Sequence, residues 1–131
     1  MKIKLTSIYV DDQDKALAFY TEKLGFQKKA DYPAGDFKWL TVVSPEEPDG
    51  TELFLEPNRN PAAKALQQSL KETGTRAAMF YTDDLQREYD RLAALGVTFT
   101  MPPTKQPWGS MAVLDDTCGN LIQLTQLSWQ G

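Results

Sequence analysis

The chain has 131 residues, of which 41% are hydrophobic and 24% charged, a composition typical of one globular domain with its own core. Its net charge of −4 argues against a nucleic-acid-binding protein, which needs a concentrated basic face. Because no segment approaches the roughly 18 apolar residues of a membrane span and no secretory signal precedes Asp11, we expect a cytoplasmic protein without membrane contact.

The first half of the chain predicts a strand, a helix and three more strands. Asp11 or Asp12 is expected to cap the helix, and Gly25 to end it in a left-handed conformation. The expected strands cover residues 2–10, 26–31, 37–43 and 51–56, with a turn at residues 32–35.

The second half repeats this order after a linking helix, which starts at Asn60-Pro61 and runs through Leu70. The expected elements are strand 76–82, helix 84–95, strand 97–100, a proline-rich loop through Trp108-Gly109, and strands 110–114 and 120–127.

Two similar segments show that the halves are copies. Val10-Asp11-Asp12 opens a helix that closes at Leu24-Gly25-Phe26, and Thr82-Asp83-Asp84 opens one that closes at Leu95-Gly96-Val97. We therefore expect a single domain with a first module at about 1–57, a linker helix at 58–74 and a second module at about 75–131.

Two residue counts restrict the chemistry. The chain has one cysteine, Cys118, which excludes an intrachain disulfide and a thiolate metal cluster. It lies in the polar segment 115–120, so we interpret it as a plain turn residue, as we do Asp115 and Asp116. The absence of histidine removes the commonest metal ligand and the commonest base near neutral pH.

Two βαβββ units, each with an aspartate-capped helix that ends in Leu-Gly, resemble the vicinal oxygen chelate superfamily. The segment from Asp115 through Gly119-Asn120 to Leu124 also matches. This superfamily includes glyoxalase I, extradiol dioxygenases, fosfomycin-resistance enzymes and bleomycin-binding proteins. The resemblance implies an α+β fold in which the two modules form a concave mixed sheet, and it implies a homodimer.

In catalytic members of that superfamily, one metal is held by four side chains, which come from the first and last strands of the two units. The resemblance places Leu5, Phe54, Ala77 and Gln123 at these positions. Only Gln123 offers a donor, whereas such metals need three or four. A two-residue slip at Phe54 would bring in Glu52 or Glu56 and still leave two positions empty. We therefore expect no metal and no cofactor.

Strand alternation assigns small and aromatic side chains to the concave face, which predicts a cleft for a small aromatic or planar molecule. The predicted ligand-binding residues are Leu5, Ser7, Tyr9, Trp39, Phe54, Ala77, Met79, Trp108 and Gln123. The same parity adds Thr41, Tyr81, Ala112 and Thr125 to this face. Alternatively, the large side chains fill a collapsed core, Trp108-Gly109 is a plain turn, and Gln123 bonds to a backbone group.

The sequence predicts a metal-free small-molecule-binding protein and assigns no catalytic residue. Two alternatives stay open. One is a metal-dependent lyase or dioxygenase with relocated ligands, and the other is a dimeric interaction protein.

Overall fold

The computed structural model describes residues 1–128; the last three residues of the predicted second module, 129–131, lie outside the described part. The α+β class and the two βαβββ units are confirmed. The first unit contains β1 (Leu5–Val10), α1 (Gln13–Ala18), β2 (Gln27–Ala34), β3 (Phe37–Val43) and β4 (Glu52–Pro57). The linker helix is α2 (Pro61–Glu72). The second unit contains β5 (Ala78–Tyr81), α3 (Leu85–Ala94), β6 (Phe99–Gln106), β7 (Gly109–Asp115) and β8 (Leu121–Leu127).

In both modules the helix begins at an aspartate cap and is followed by a glycine in the left-handed conformation. Asp12 accepts the backbone N–H of Lys15 at 3.0 Å, and Asp84 accepts that of Arg87 at 3.1 Å, so each side chain caps a helix N-terminus. After α1 the chain continues as a π-helical segment, Phe19–Lys23. Gly25 and Gly96 both have φ of +86°, which satisfies the expectation of a left-handed helix end.

Each module forms one four-stranded sheet, and the strand orders correspond. They are β1-β4-β3-β2 in the first module and β5-β8-β7-β6 in the second. In both sheets the first and last strands of the module pair in parallel, and the other pairs are antiparallel.

Two predicted loops are strands instead. Tyr32-Pro33 lies within β2, opposite Trp39 and Lys38, and the turn follows at Gly35. The proline-rich segment 102–106 belongs to β6, where the pairing register shifts between Met101 and Thr104. Both strands are at sheet edges, where prolines and bulges are tolerated.

The helix-facing sides of both sheets pack into one core. Phe26 of the first module contacts Phe80 of the second edge to face, with ring centroids 5.1 Å apart. The buried members of this core are Ile8, Val10, Ala16, Phe19, Tyr20, Leu40, Val42, Leu55, Leu85, Leu92, Ala112, Leu114, Cys118, Ile122 and Leu124.

A buried amide of the linker helix joins the two modules. Gln67 Nε2 donates to the Tyr9 carbonyl at 2.8 Å and to Asn120 Oδ1 at 3.1 Å. Asn58 Nδ2 donates to Gln67 Oε1 at 2.6 Å, and Asn120 Nδ2 donates to the same Tyr9 carbonyl at 2.8 Å. These bonds fix the position of β1 relative to the segment before β8, since buried polar groups keep their partners.

Asp116 lies at the centre of the same junction and is fully buried, unlike the plain turn residue expected from the sequence. The Tyr20 hydroxyl donates to Asp116 Oδ2 at 2.7 Å, and Asn120 and the Cys118 backbone N–H donate as well. Burial raises the pKa of Asp116, and the hydrogen bonds from Tyr20 and Asn120 oppose this rise. Burial, followed by the charge of Asp116, raises the pKa of Tyr20 well above its ordinary value.

Replacement of Tyr20 by phenylalanine should lower the free energy of unfolding by about 1–3 kcal/mol, because Asp116 loses a buried donor. The ring contacts with Phe80 are retained in this variant. Urea denaturation measures the effect. Tyr32→Phe is the matched control, since Tyr32 is 61% exposed. Equal stability losses in the two variants would contradict the assigned role of the Tyr20–Asp116 bond.

Candidate functional site

The first sheet presents an aromatic pair on the face away from the helices. Ser7 and Thr41 both pair with Phe54, so the three side chains lie side by side across β1, β4 and β3. Trp39, two residues before Thr41, stacks on Phe54 with ring centroids 4.3 Å apart and an interplanar angle of 28°. Phe54 is buried and Trp39 half-buried, so the pair forms a flat, rigid aromatic surface.

A carboxylate lies beside this pair. Glu52 pairs with Leu5 at the start of β4, and its Oε1 accepts a hydrogen bond from the Thr41 hydroxyl at 2.6 Å. Thr41 is fully buried, and its hydroxyl in turn accepts the Ala30 N–H at 3.1 Å. From the sequence, Glu52 is a candidate only for a displaced metal ligand. Its contact with Thr41 depends on the pairing register of β3 with β4, which no local pattern predicts.

The second sheet presents a less aromatic face. Gln123 pairs with Met79 on one side and Val113 on the other, and its Nε2 donates to Thr125 Oγ1 at 3.0 Å. Gln123 therefore bonds to a neighbouring side chain, not to a backbone group as the alternative interpretation of the sequence proposed.

The assignment of Ala112 to this face is wrong. Ala112 pairs with Leu124 in the helix-side core, and the next residue, Val113, pairs with Gln123 on the open face. A shift of one residue moves every side chain of a strand to the opposite face, and the pairing of β7 with β8 places β7 one residue out of phase with the expected assignment.

The nine predicted ligand residues fall into separate groups. Leu5, Ser7, Tyr9, Trp39 and Phe54 belong to the first sheet, and Ala77, Met79 and Gln123 lie on or beside the edge of the second. Trp108 lies at the β6–β7 turn, where its carbonyl accepts the Ser128 N–H. Within residues 1–128, no aromatic pair or side-chain hydrogen bond connects the first group with the second.

A cavity of about 250 Å³ nevertheless lies between the two modules. Met79 and Phe80 line it from the second module, and Glu52 and Phe26 from the first. Its remaining lining residues are Thr6, Val42, Val43, Ser44, Thr51 and Leu53. Met79 is the one predicted site residue among them, and the sequence could not identify the others because they come from four strands and two loops of two modules.

An open groove of about 540 Å³ lies outside the sheets, near the start of α1. Its charged residues include partners that neutralise each other, since Lys38 binds Asp14 at 2.8 Å and Arg59 lies 3.7 Å from Asp36. Exposed pairs of this kind contribute little to stability or specificity.

The positions at which the resemblance implies a metal are equivalent in the two modules. Leu5 and Phe54 are offset by two residues across the β1–β4 pair, and Ala77 and Gln123 by two across β5–β8. Leucine, phenylalanine and alanine side chains have no donor atom, so the amide oxygen of Gln123 is the single donor among the four positions. Across residues 1–128 no group of three or more His, Cys, Asp or Glu side chains is arranged to hold a metal. The residues present do not fit the implied metal.

Comparison with known proteins places the chain in a family. Residues 2–124 match the model of the Glyoxalase/Bleomycin resistance protein/Dioxygenase superfamily. The uncharacterized protein YurT of Bacillus subtilis is 60% identical over 96% of this chain and 99% of its own length. The crystal structure of UcmS2 is 33% identical with a TM-score of 0.83, covering 95% of this chain and 97% of its own. TnmS3, an antibiotic binding protein from Streptomyces sp. CB03234, is 31% identical with a TM-score of 0.76, and the match covers 98% of this chain and 97% of TnmS3.

Among residues 1–128, none of the helices has the length and hydrophobicity that a membrane span requires.

The lone cysteine lies outside both cavities. Cys118 is fully buried in the core, and burial together with the charge of Asp116 raises the pKa of its thiol to about 12. The expected plain turn residue is therefore a core residue, and its neutral, enclosed thiol is unsuited to nucleophilic chemistry.

Alkaline conditions should destabilise the protein through Cys118. Above the ordinary thiol pKa of 9.0, the unfolded chain loses a proton that the folded chain keeps up to about pH 12, so stability falls as the pH rises. We expect a loss of about 1 kcal/mol between about pH 8 and pH 10, measured by urea denaturation. Cys118→Ala should remove most of this pH dependence, and an unchanged slope in that variant would refute the assignment.

Proposed function

This chain belongs to the Glyoxalase/Bleomycin resistance protein/Dioxygenase superfamily, and on that premise we propose that it is a metal-free small-molecule-binding protein. Its ligand is a small aromatic or planar molecule that lies against the sheet face bearing Trp39 and Phe54. The observation that carries this proposal is the stacked Trp39–Phe54 pair, with Phe54 standing where the resemblance implies a metal ligand.

Several features support this proposal. Three of the four implied metal positions carry side chains without a donor atom, so the face offers apolar area where chelation would need lone pairs. An aromatic surface with a few polar groups is typical of small-molecule sites. TnmS3 is an antibiotic binding protein with the same fold, so the binding of a small molecule is compatible with this architecture.

The proposed contact residues are those of the sequence analysis, with Val113 in place of Ala112 and Glu52 added. The aromatic pair supplies stacking area, Ser7 leaves space beside Phe54, and Gln123 Oε1 is available as an acceptor on the second face.

We further propose a homodimer. The face residues Leu5, Met79 and Tyr81 are 41%, 55% and 63% exposed in the single chain. Apolar area exposed in this way on both sheets favours coverage by a second copy. A dimer of this kind would bring the first sheet of one protomer towards a sheet of its partner and enclose the ligand.

Trp39→Ala should weaken the binding of planar aromatic compounds about tenfold or more, because it removes the exposed half of the stacked surface. A thermal-shift screen of such compounds, followed by calorimetry on the hits, measures this. Leu66→Ala is the control, since Leu66 is an exposed apolar side chain on the linker helix. Sedimentation should show a dimer for both variants.

Two results would count against the proposal. If no planar compound stabilises the protein, the binding function fails. If elemental analysis of the purified protein finds stoichiometric nickel, zinc or iron, the metal-dependent lyase or dioxygenase replaces it.

A further inference from the structure

We propose that Gln13 is a positioning residue of the binding surface: its side-chain amide holds the backbone beside Trp39 and Phe54, so that the two rings are stacked before a ligand arrives. This inference rests on the proposed binding function. It gives helix α1 a part in a site whose other residues belong to the strands and the segments next to them.

The pairing of β3 with β4 stops short of Trp39. It consists of Thr41–Phe54 and the next pair in the direction away from Trp39. If the register continued, Lys38 would lie opposite Pro57, which has no backbone N–H to donate. Lys38 therefore needs another partner, since backbone polar groups are seldom left unpaired.

Gln13 supplies this partner. Its Nε2 donates to the carbonyls of Lys38 and Leu55, both at 2.8 Å, and its Oε1 accepts the Lys38 N–H at 3.0 Å. Lys38 directly precedes Trp39 in the chain. Leu55 directly follows Phe54, so one side chain joins the two strands next to the stacked rings.

Gln13 is itself held in place by the start of α1. It is the first residue of the helix and follows the cap Asp12, which accepts the Lys15 N–H at 3.0 Å. Its side chain is half-buried and makes three hydrogen bonds to backbone groups. A group fixed in this way passes its order to the strands that it joins, which is the condition for a preorganised site.

The stacked surface depends on this support because Trp39 lies near the start of β3. Without Gln13, the backbone there is held mainly by the edge strand β2, where Tyr32 lies opposite Trp39. The indole would then occupy several orientations, and a ligand would have to order it on binding, which lowers affinity. Gln13 thus raises the affinity for a planar ligand through Trp39.

Gln13→Met tests this role, because methionine has a similar length and makes none of the three hydrogen bonds. The probes are acridine, coumarin and flavone, which are planar aromatic compounds of different outline. Calorimetry on the full chain should give an affinity about three- to tenfold lower for the variant. Gln68→Met is the matched control, since Gln68 is exposed and bonds to Glu72 of the same linker helix, and its affinity should equal that of the wild type.

A double-mutant cycle separates positioning from a general structural effect. In the Trp39→Ala background, Gln13→Met should change the affinity less than about twofold, because the ring that Gln13 positions is gone. A general structural effect would lower the affinity equally in both backgrounds. Urea denaturation verifies that each variant is folded under the assay conditions.

Fluorine NMR of protein labelled with 5-fluorotryptophan tests the same role without a ligand. The Trp39 resonance is identified by its loss in Trp39→Phe. This resonance should shift or broaden in Gln13→Met and stay unchanged in Gln68→Met.

The possible results separate the two proposals. Wild-type affinity in Gln13→Met, an equal loss with and without Trp39, or an unchanged Trp39 resonance would each overturn the positioning role and leave the binding function standing. If none of the three compounds binds the wild-type chain, the binding function is overturned and the role of Gln13 with it.

Discussion

In both modules the first strand pairs in parallel with the last, and this pairing decides which side chains share a face. Ser7 lies beside Phe54 and Met79 beside Gln123 because β1–β4 and β5–β8 have equivalent registers. Alternation along these strands sends one set of side chains into the core under the helices and the other to the open face. The chemistry of the open face is thus a consequence of register, since a shift of one residue would exchange the two sets.

The open faces have the geometry of the superfamily without its usual donor atoms. Leu5, Phe54 and Ala77 place hydrocarbon at positions where the resemblance implies metal ligands. Without donor atoms at these positions, the face offers area for stacking and burial in place of coordination. Glu52 adds one oriented charge to it, supported by Thr41 from the neighbouring strand.

The relative position of the modules depends on buried polar groups that have no role on the open faces. Gln67 reaches both the Tyr9 carbonyl and Asn120, and Asp116 collects donors from Tyr20 and from its own turn. Such groups are stabilising only when every partner is present, because an unpaired buried acceptor costs about 1–3 kcal/mol. The apolar contact of Phe26 with Phe80 completes the junction, and it lies next to the cavity that Glu52 lines.

The family resemblance placed Leu5, Phe54 and Ala77, which have no donor atom, at the implied metal positions. The sequence by itself determined the repeated βαβββ order, the aspartate caps and the glycine helix ends. These features depend on local patterns, such as strand alternation, capping side chains and left-handed glycines, which act within a few residues. The tertiary structure decided that Pro33 belongs to an edge strand, that Ala112 faces the core and that Cys118 is buried. It also decided that Glu52 meets Thr41 and lines a cavity with Met79. Each of these depends on pairing between segments far apart in the chain, and no local pattern specifies which edge, register or module a residue will meet.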